Sequence, residues 1–359
     1  MESTSNEMKE EYNKYTARKI IFIIVSLALV VLLFFVSICV GTLELSIPDV
    51  YHYLLNHITG VTYPPGSTDA YNDNIVWNYR VPRALFAIIA GGSLAIAGSV
   101  MQSVMKNPLA DPYTTGVSSG ALLGVALALI LGFSLTGGAV DRVAIVTNAI
   151  VFSLIPVLVM VVMAPYFRRS PSTLVLAGVA ISFLFSSFTS ILLVSTDAAN
   201  LSMVYHWQIG TFGDLSWDAL PLTAITTVIG AAILLPMAKK LNLMAIDDKA
   251  AKSMGLNIER LRVICLVLIS VMVSVMISYV GIIAFVGLVV PHIIRILLGA
   301  DNKYLMPAAA AFGALFLLGC DIISRALDVG ATIPVGVTTA FFGAPIFLYL
   351  IIQQKKGVW

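Results

Sequence analysis

The chain has 359 residues, of which 59% are hydrophobic and only 11% charged, and its formal net charge is +2. A soluble domain carries roughly 45–50% apolar and about 25% charged residues, so a water-soluble enzyme is excluded, as is a disordered chain, which needs low hydrophobicity and high charge. The balanced charge lacks the basic stripe of a nucleic-acid binder, and the three cysteines lie in or beside apolar runs, where they act as small hydrophobes rather than a disulfide framework.

A helix needs about 20 apolar residues to cross roughly 30 Å of hydrocarbon. The first such run is Ile20–Val40. The stretch before it carries Glu2, Glu7, Glu10 and Glu11 and has neither the basic start nor the cleavage site of a signal peptide. It reads as a cytoplasmic tail over residues 1–19, ahead of an uncleaved first span. Further runs lie at Ala84–Val104, Gly116–Leu135, Ala144–Pro165, Leu174–Ser195 and Leu220–Met237. Val263–Leu298 is 36 residues long, or about 54 Å of helix, too much for one crossing. Tyr279-Val280-Gly281 is its weak point, so it is split there into two spans. Leu305–Cys320 and Gly336–Ile352 complete a set of ten, leaving 353–359 as a second tail. The expected fold is all-α, with ten transmembrane helices over residues 20–352 and both termini cytoplasmic.

Lysine and arginine placement sets direction. With ten spans and a cytoplasmic N-terminus, 17 of the 21 cations fall inside and only Arg80, Arg83, Arg142 and Arg325 fall outside. A miscounted span would scramble that asymmetry. Small residues recur at every fourth position in the second span (Gly91, Ala95, Ser99, Ser103) and in the third (Gly116, Gly120, Gly124, Ala128, Gly132). Such stripes let helix backbones approach closely in lipid.

Two loops carry structure. Ser46-Ile47-Pro48-Asp49 has the helix-start pattern of serine followed three residues on by an acid, and predicts a short helix over Val50–Asn56 at the outer surface. The cytoplasmic loop Ala245–Arg262 runs acids, then lysines, then glycine, an order that complements a helix dipole and ends in a glycine cap. Asn257 can cap a second short turn. A short helix pair held under the membrane suits contact with a soluble partner, or simply closes the loop.

The sequence contains no GxxxxGK[ST], so the chain does not bind ATP through a P-loop. It has no HExxH or CxxC, and the four histidines lack ligand spacing. Gly116-Val117-Ser118-Ser119-Gly120 satisfies GxSxG, but that elbow needs a strand-to-helix turn, and here the motif opens an apolar helix. No Asp, Glu, Lys or Arg falls in the middle of a span. Ion-coupled carriers usually place such residues there, so the pattern suits a wide pathway for a bulky solute that brings its own shell. Asn107–Gly124 and Pro291–Gly313 each run from a helix end through a polar turn into a small-residue helix, a faint echo of the repeats found in transporters.

Several of these segments together carry a family resemblance. They are Arg80-Val81-Pro82-Arg83, Gly98-Ser99-Val100-Met101-Gln102, Asn107–Pro112, Gly116–Ala121, Met254-Gly255-Leu256-Asn257, Phe285–Arg295, Asp321 with Arg325, Ile333–Val337 and Gly343–Phe347. Over residues 20–352 the chain resembles FecCD-type permeases of type II ATP-binding-cassette importers, which take up iron-siderophores, haem and cobalamin. The resemblance implies ten helices per subunit and a central pathway between this chain and a second copy or a paralogue. It implies two cytoplasmic ATPase subunits that bind ATP and magnesium, so that no cofactor belongs to this chain, and an extracellular substrate-binding lipoprotein. The bilayer of a bacterial cytoplasmic membrane, not nucleic acid, completes the expected partners. Residue by residue, Arg80, Arg83 and Arg325 match rim arginines that meet glutamates of the binding protein. Asn107 and Leu109 match the turn that narrows the cytoplasmic end of the pathway, and Ser172 falls at a second constriction. Ala245–Arg262 matches the coupling helices on the ATPase, with Ala251, Met254, Gly255, Leu256 and Asn257 at the contact. The chain itself is expected to be a transport subunit without catalysis, moving a ferric siderophore, with haem or cobalamin as alternatives.

Overall fold

The computed structural model describes residues 2–41, 43–163, 171–213, 215–246, 248–327 and 333–354; the side chains at 2–9, 11, 12, 171–175, 246, 248–250, 353 and 354 are not described. Among the described residues the chain is all-helical, with no strand. Eight helical stretches are long and apolar enough to cross a bilayer, and two further apolar helices are shorter. Eight of the ten sequence-derived spans coincide with the long stretches, and the third and eighth with the short pair.

α1 (Glu2–Cys39) carries the polar N-terminal segment and the first span in one continuous helix. α2 (Ile47–Ile58) starts where Ser46 predicts, with the serine Oγ accepting from Asp49 N at 3.3 Å and Pro48 in the first turn. α3 (Thr68–Ile75) passes through a π-helical turn, Val76–Arg80, into α4 (Val81–Met105). α4 is buried along almost its whole length and packs against α12, α13 and α14.

The two short helices share a construction. α4 ends at Lys106 in the left-handed region, irregular backbone and one 3-10 turn (Pro112–Thr115) follow, and then α5 (Val117–Leu131) begins. Likewise α12 (Ile258–Val280) stops at Gly281, as the Tyr279–Gly281 break predicts, and α13 (Val286–Leu298) starts after Phe285, also left-handed. At 15 and 13 residues these helices reach only about 20 Å. Irregular backbone at membrane depth is tolerated only where protein covers it, and here the two breaks cover each other. Tyr113 donates to Ile283 O at 3.1 Å, and Pro112 packs beside Gly287. The breaks after α4 and α12 thus share a construction that the sequence echo between 107–124 and 291–313 does not include.

α6 (Arg142–Met163), α7 (Pro171–Val194), α9 (Ala219–Leu234), α14 (Asn302–Ala326) and α15 (Val335–Gln354) supply the remaining spans. α10 (Ala238–Ile246) prolongs α9 through a short 3-10 turn. α8 (Ala198–Ile209) was invisible to the span count, being too short and too mixed in polarity; it is capped by Asp197 and closed by Gly210.

The small-residue stripes do pack, though not as a single seam. A methyl group on Gly91 would overlap the Gly313 carbonyl of α14, and one on Gly98 would overlap the Gly287 carbonyl of α13. Gly120 and Gly124 meet the α6 backbone at Phe152 and Asn148. Gly116 and Gly132 serve differently: both sit at positive φ as helix caps, and Gly132 has no neighbour where a side chain would go. Asn148, fully buried on α6, donates to Phe133 O at 2.7 Å and accepts from Leu135 N at 3.1 Å, which ties down the chain just past α5. Gly98→Val is expected to cost about 3 kcal/mol or more through overpacking, seen as loss of monodisperse protein in detergent. Gly319→Ala, on α14 with open space at its Cβ, is expected to leave the profile unchanged.

Candidate functional site

One end of the bundle gathers the three arginines. Arg80, at the end of the π-turn, donates to Ile38 O and Cys39 O at 3.1 Å each and to Leu43 O at 2.5 Å. Arg325, in the last turn of α14, donates to Ser37 O at 2.8 Å, Ser37 Oγ at 2.6 Å and Val40 O. These carbonyls belong to the C-terminal turn of α1 and the residues just beyond it, where helix geometry leaves acceptors over; Ser37 O also accepts from Val40 N at 3.3 Å. The two guanidinium groups thus cap α1 and complement its dipole. Asp321 is fully buried between two arginines: Oδ1 accepts from Arg83 Nε at 2.8 Å and Oδ2 from Arg325 at 2.7 Å.

The arginines therefore differ in what they can offer. Arg80 and Arg325 are each 5% exposed, with their donors turned inward, and only Arg83, whose side chain is 13% exposed, has a single side-chain partner shown. All three line a cavity of about 380 Å³ together with Tyr71, Asn74 and Tyr79. Within the cluster three cations meet one carboxylate, while Glu44, Asp69 and Asp73 lie on the neighbouring segments. Its rim is braced by rings: His57 stacks on Trp77 at 4.3 Å and bonds Asp73 at 2.8 Å, and Trp217 donates to Trp77 O at 3.0 Å. The bracing residues carry no motif. The Asp321–Arg325 spacing of four was the one readable sign of an ion pair.

At the other end of α4, Asn107 N closes on Gln102 O at 3.1 Å, and Asn107 Oδ1 accepts from Leu109 N at 2.9 Å. This Asx turn is what proline and asparagine at these positions favour. It leaves Leu109 41% exposed. Ser172 falls in the first turn of α7, but its side chain lies outside the described residues, as do Arg168, Arg169 and Ser170 entirely.

The loop 245–262 folds as α11 (Asp248–Ser253) followed directly by α12. Gly255 has φ +82° and open space around it, and its N–H bonds Lys252 O while Leu256 N bonds Ala251 O, closing the helix as the glycine cap requires. Asn257 caps the long helix α12 through Arg260 N at 3.0 Å, not a second short turn. The pair is fastened by Lys252–Glu259 at 2.5 Å. Ala251 is fully buried, while Met254 is 60% exposed, so the apex presents Met254 outward over a fixed base. The GxSxG run is a helix start: Ser119 bonds Gly116 O, and no strand precedes it among the described residues.

Comparison with known proteins was made against this geometry. The pattern of the FecCD transport family matches residues 29–353. The hemin transport system permease of Yersinia pestis is 34% identical, covering 78% of this chain and 84% of that one. The molybdate import system permease of Haemophilus influenzae is 32% identical over 90% and 92%, and the vitamin B12 import system permease of Vibrio cholerae 33% identical over 82% and 87%. Among solved structures, an inward-facing conformation of a transporter provisionally typed as a metal-chelate ABC transporter superposes with a TM-score of 0.79 at 29% identity, covering 92% of this chain and 98% of that one.

Replacing Arg325 by leucine is expected to destabilise the protein by about 3–5 kcal/mol, because Asp321 would stay buried without its closer partner. Arg83→Gln is expected to cost about 1 kcal/mol, since glutamine can still donate one hydrogen bond. Thermal unfolding of the two variants in detergent separates these outcomes.

Proposed function

Because the chain belongs to the FecCD transport family of ATP-binding-cassette importer permeases, we propose that it forms half of a central pathway and carries a ferric siderophore across the cell membrane by alternating access. The class rests on the family match over residues 29–353, together with sequence identity above 30% to importer permeases over most of each chain. The chain is accordingly a transport subunit, and a multi-span protein of the cell membrane. In this reading the chain holds no cofactor; ATP and magnesium belong to two partner ATPases, and an extracellular lipoprotein delivers the cargo.

The ferric chelate is favoured by the metal-chelate assignment of the structural neighbour, which aligns over nearly the whole chain. It is favoured too by spans that keep charge away from their centres, which suits a solute with its own ligand shell. The named cargoes of the relatives differ (hemin, molybdate, vitamin B12), so haem and cobalamin are the competing substrates.

Within this reading, both termini and loop 245–262 face the cytoplasm and the arginine mouth faces outward. Fixed cations at the mouth orient an acidic lipoprotein, and Arg83 is the arginine best placed to engage it, since Arg80 and Arg325 hold α1. The Asn107–Leu109 turn narrows the inner end of the pathway, with Ser172 as a second constriction. Met254, Gly255 and Leu256 rest on the ATPase, with Ala251 and Asn257 fixing the helix beneath them.

Two measurements test this. Vesicles containing the permease with the ATPase and lipoprotein encoded beside it are expected to take up a ferric siderophore with ATP inside; uptake of haem or cobalamin alone would replace the substrate, and uptake by the permease without an ATPase would remove the class. Arg83→Glu is expected to weaken lipoprotein binding about tenfold, the loss of one charge-assisted contact, and Gly255→Pro to abolish stimulated hydrolysis while membrane insertion stays normal.

A further inference from the structure

A polar chain, buried at Asn302 and Ser103 and half-buried at Asn242 and Asp301, joins three helices at the end of the bundle that carries the Asn107 turn. Asn242, on α10, accepts at Oδ1 from both the backbone N and the side-chain Nδ2 of Asn302, at 2.9 and 2.8 Å. Its own Nδ2 donates to Asp301 Oδ1 at 2.7 Å. Asp301 is the N-cap of α14 and accepts from Lys303 N at 3.0 Å. Asn242 and Asp301 therefore complete the start of α14 between them, each satisfying a backbone N–H left over there. Asn302 Oδ1 in turn lies 3.0 Å from the Ser103 hydroxyl, in the last turn of α4; that hydroxyl shares its one proton between Asn302 Oδ1 and Ser99 O, also at 3.0 Å. Asn302 and Ser103 are almost wholly buried, and α10 is seated by Leu241 and Met244, which have no exposed surface.

The ends of this chain lie next to the two working loops. α10 runs to Ile246, one residue short of α11, and Ser103 stands four residues before Asn107. From these placements we infer that Asn242, Asn302 and Ser103 are positioning residues that carry displacement of the coupling loop to the gate turn. The inference rests on the assignment of 245–262 and of Asn107–Leu109 made under the proposed function.

The physical reason lies in the kind of contact. The Gly91–Gly313 approach sets how closely α4 and α14 pack in the body of the bundle, but it does not reach α10. Hydrogen bonds among groups removed from water are directional, and breaking one leaves a costly unpaired polar atom. A chain of them fixes axial register, so that α10, the first turn of α14 and the last turn of α4 move as one body. As a source of stability alone the network is a poor choice, since packed apolar side chains of the same volume would serve as well.

The test uses the full importer in vesicles, with ATPase and lipoprotein present. In a background lacking the native cysteines, Leu109→Cys reports the gate turn through its rate of reaction with a charged thiol reagent, with and without ATP trapped by vanadate. Trapping is expected to change that rate about fivefold or more. Adding Asn302→Ala or Ser103→Ala is expected to cut the response below about twofold while ATP hydrolysis stays within about twofold of the parent. Ser103→Ala removes one oxygen and decides the matter if Asn302→Ala does not fold. A full response in Ser103→Ala overturns the inference, as does a parallel fall of hydrolysis and response, which would make the network a brace only. A response that survives Gly255→Pro, or is absent from the parent, refutes instead the assignment of the loops on which the inference stands.

Discussion

Backbone polar groups cannot be left unpaired in hydrocarbon, and this constraint explains both the length of α4 and the company it keeps. Among the described residues, the chain is irregular between apolar helices after Lys106 and after Gly281. Each needs a backbone neighbour close enough to exclude lipid. α4 provides it for the second by running glycine against glycine, Gly98 against Gly287, and it is itself pinned by Gly91 against Gly313. The breaks then pair with one another through Tyr113 and Ile283. With any larger residue at Gly98, α13 would stand off from α4 and expose the 281–285 backbone. The stripe is thus a condition for having these broken helices at all.

The same bookkeeping of polar groups reorganises the arginine mouth. Fixed positive charge at a membrane surface reads as a docking feature, yet Arg80 and Arg325 first answer a structural need, the unpaired carbonyls at the end of α1. Asp321 holds Arg325 and Arg83 in one plane of contact without cancelling their joint charge. One set of side chains therefore fastens the first helix to the bundle and holds Arg83 beside Asp321 at the cavity wall.

The positions of the long apolar helices were legible because long apolar runs are a property of composition, and the 279–281 break showed because Gly281 interrupts a run too long for one crossing. The Ser46 and Gly255 caps were legible for the same local reason. The α8 helix, the π-turn at Val76–Arg80 and the run of α10 into α9 were not, since short helices of mixed polarity carry no period strong enough to read. The stripe in the third span misled in part: Gly116 and Gly132 recur in register with Gly120 and Gly124, but positive φ gives them a different task. At the site, single residues could be named from motifs, while their direction could not. Nothing in Arg80-Val81-Pro82-Arg83 says that the first arginine turns inward and the second lies at the rim.

Asn242 and Asn302 were the least legible of all, because an isolated asparagine in an apolar helix has no periodic signature and its meaning comes only from a partner 60 residues away. That separation is also why they matter to motion. Residues close in sequence move together through the covalent chain; α10 and the end of α4 do not, and without a directional contact the turn at Asn107 could stay still while α11 shifts. Polar groups buried between helix ends convert a slack junction into a stiff one. The mouth, by contrast, is joined to α4 covalently at Arg80 and Arg83, so displacement of one α4 end along its axis is felt at the other. A single helix held rigid by glycine contacts, with a polar network at one end and an ion cluster at the other, couples the two faces of the membrane without any residue spanning the distance between them.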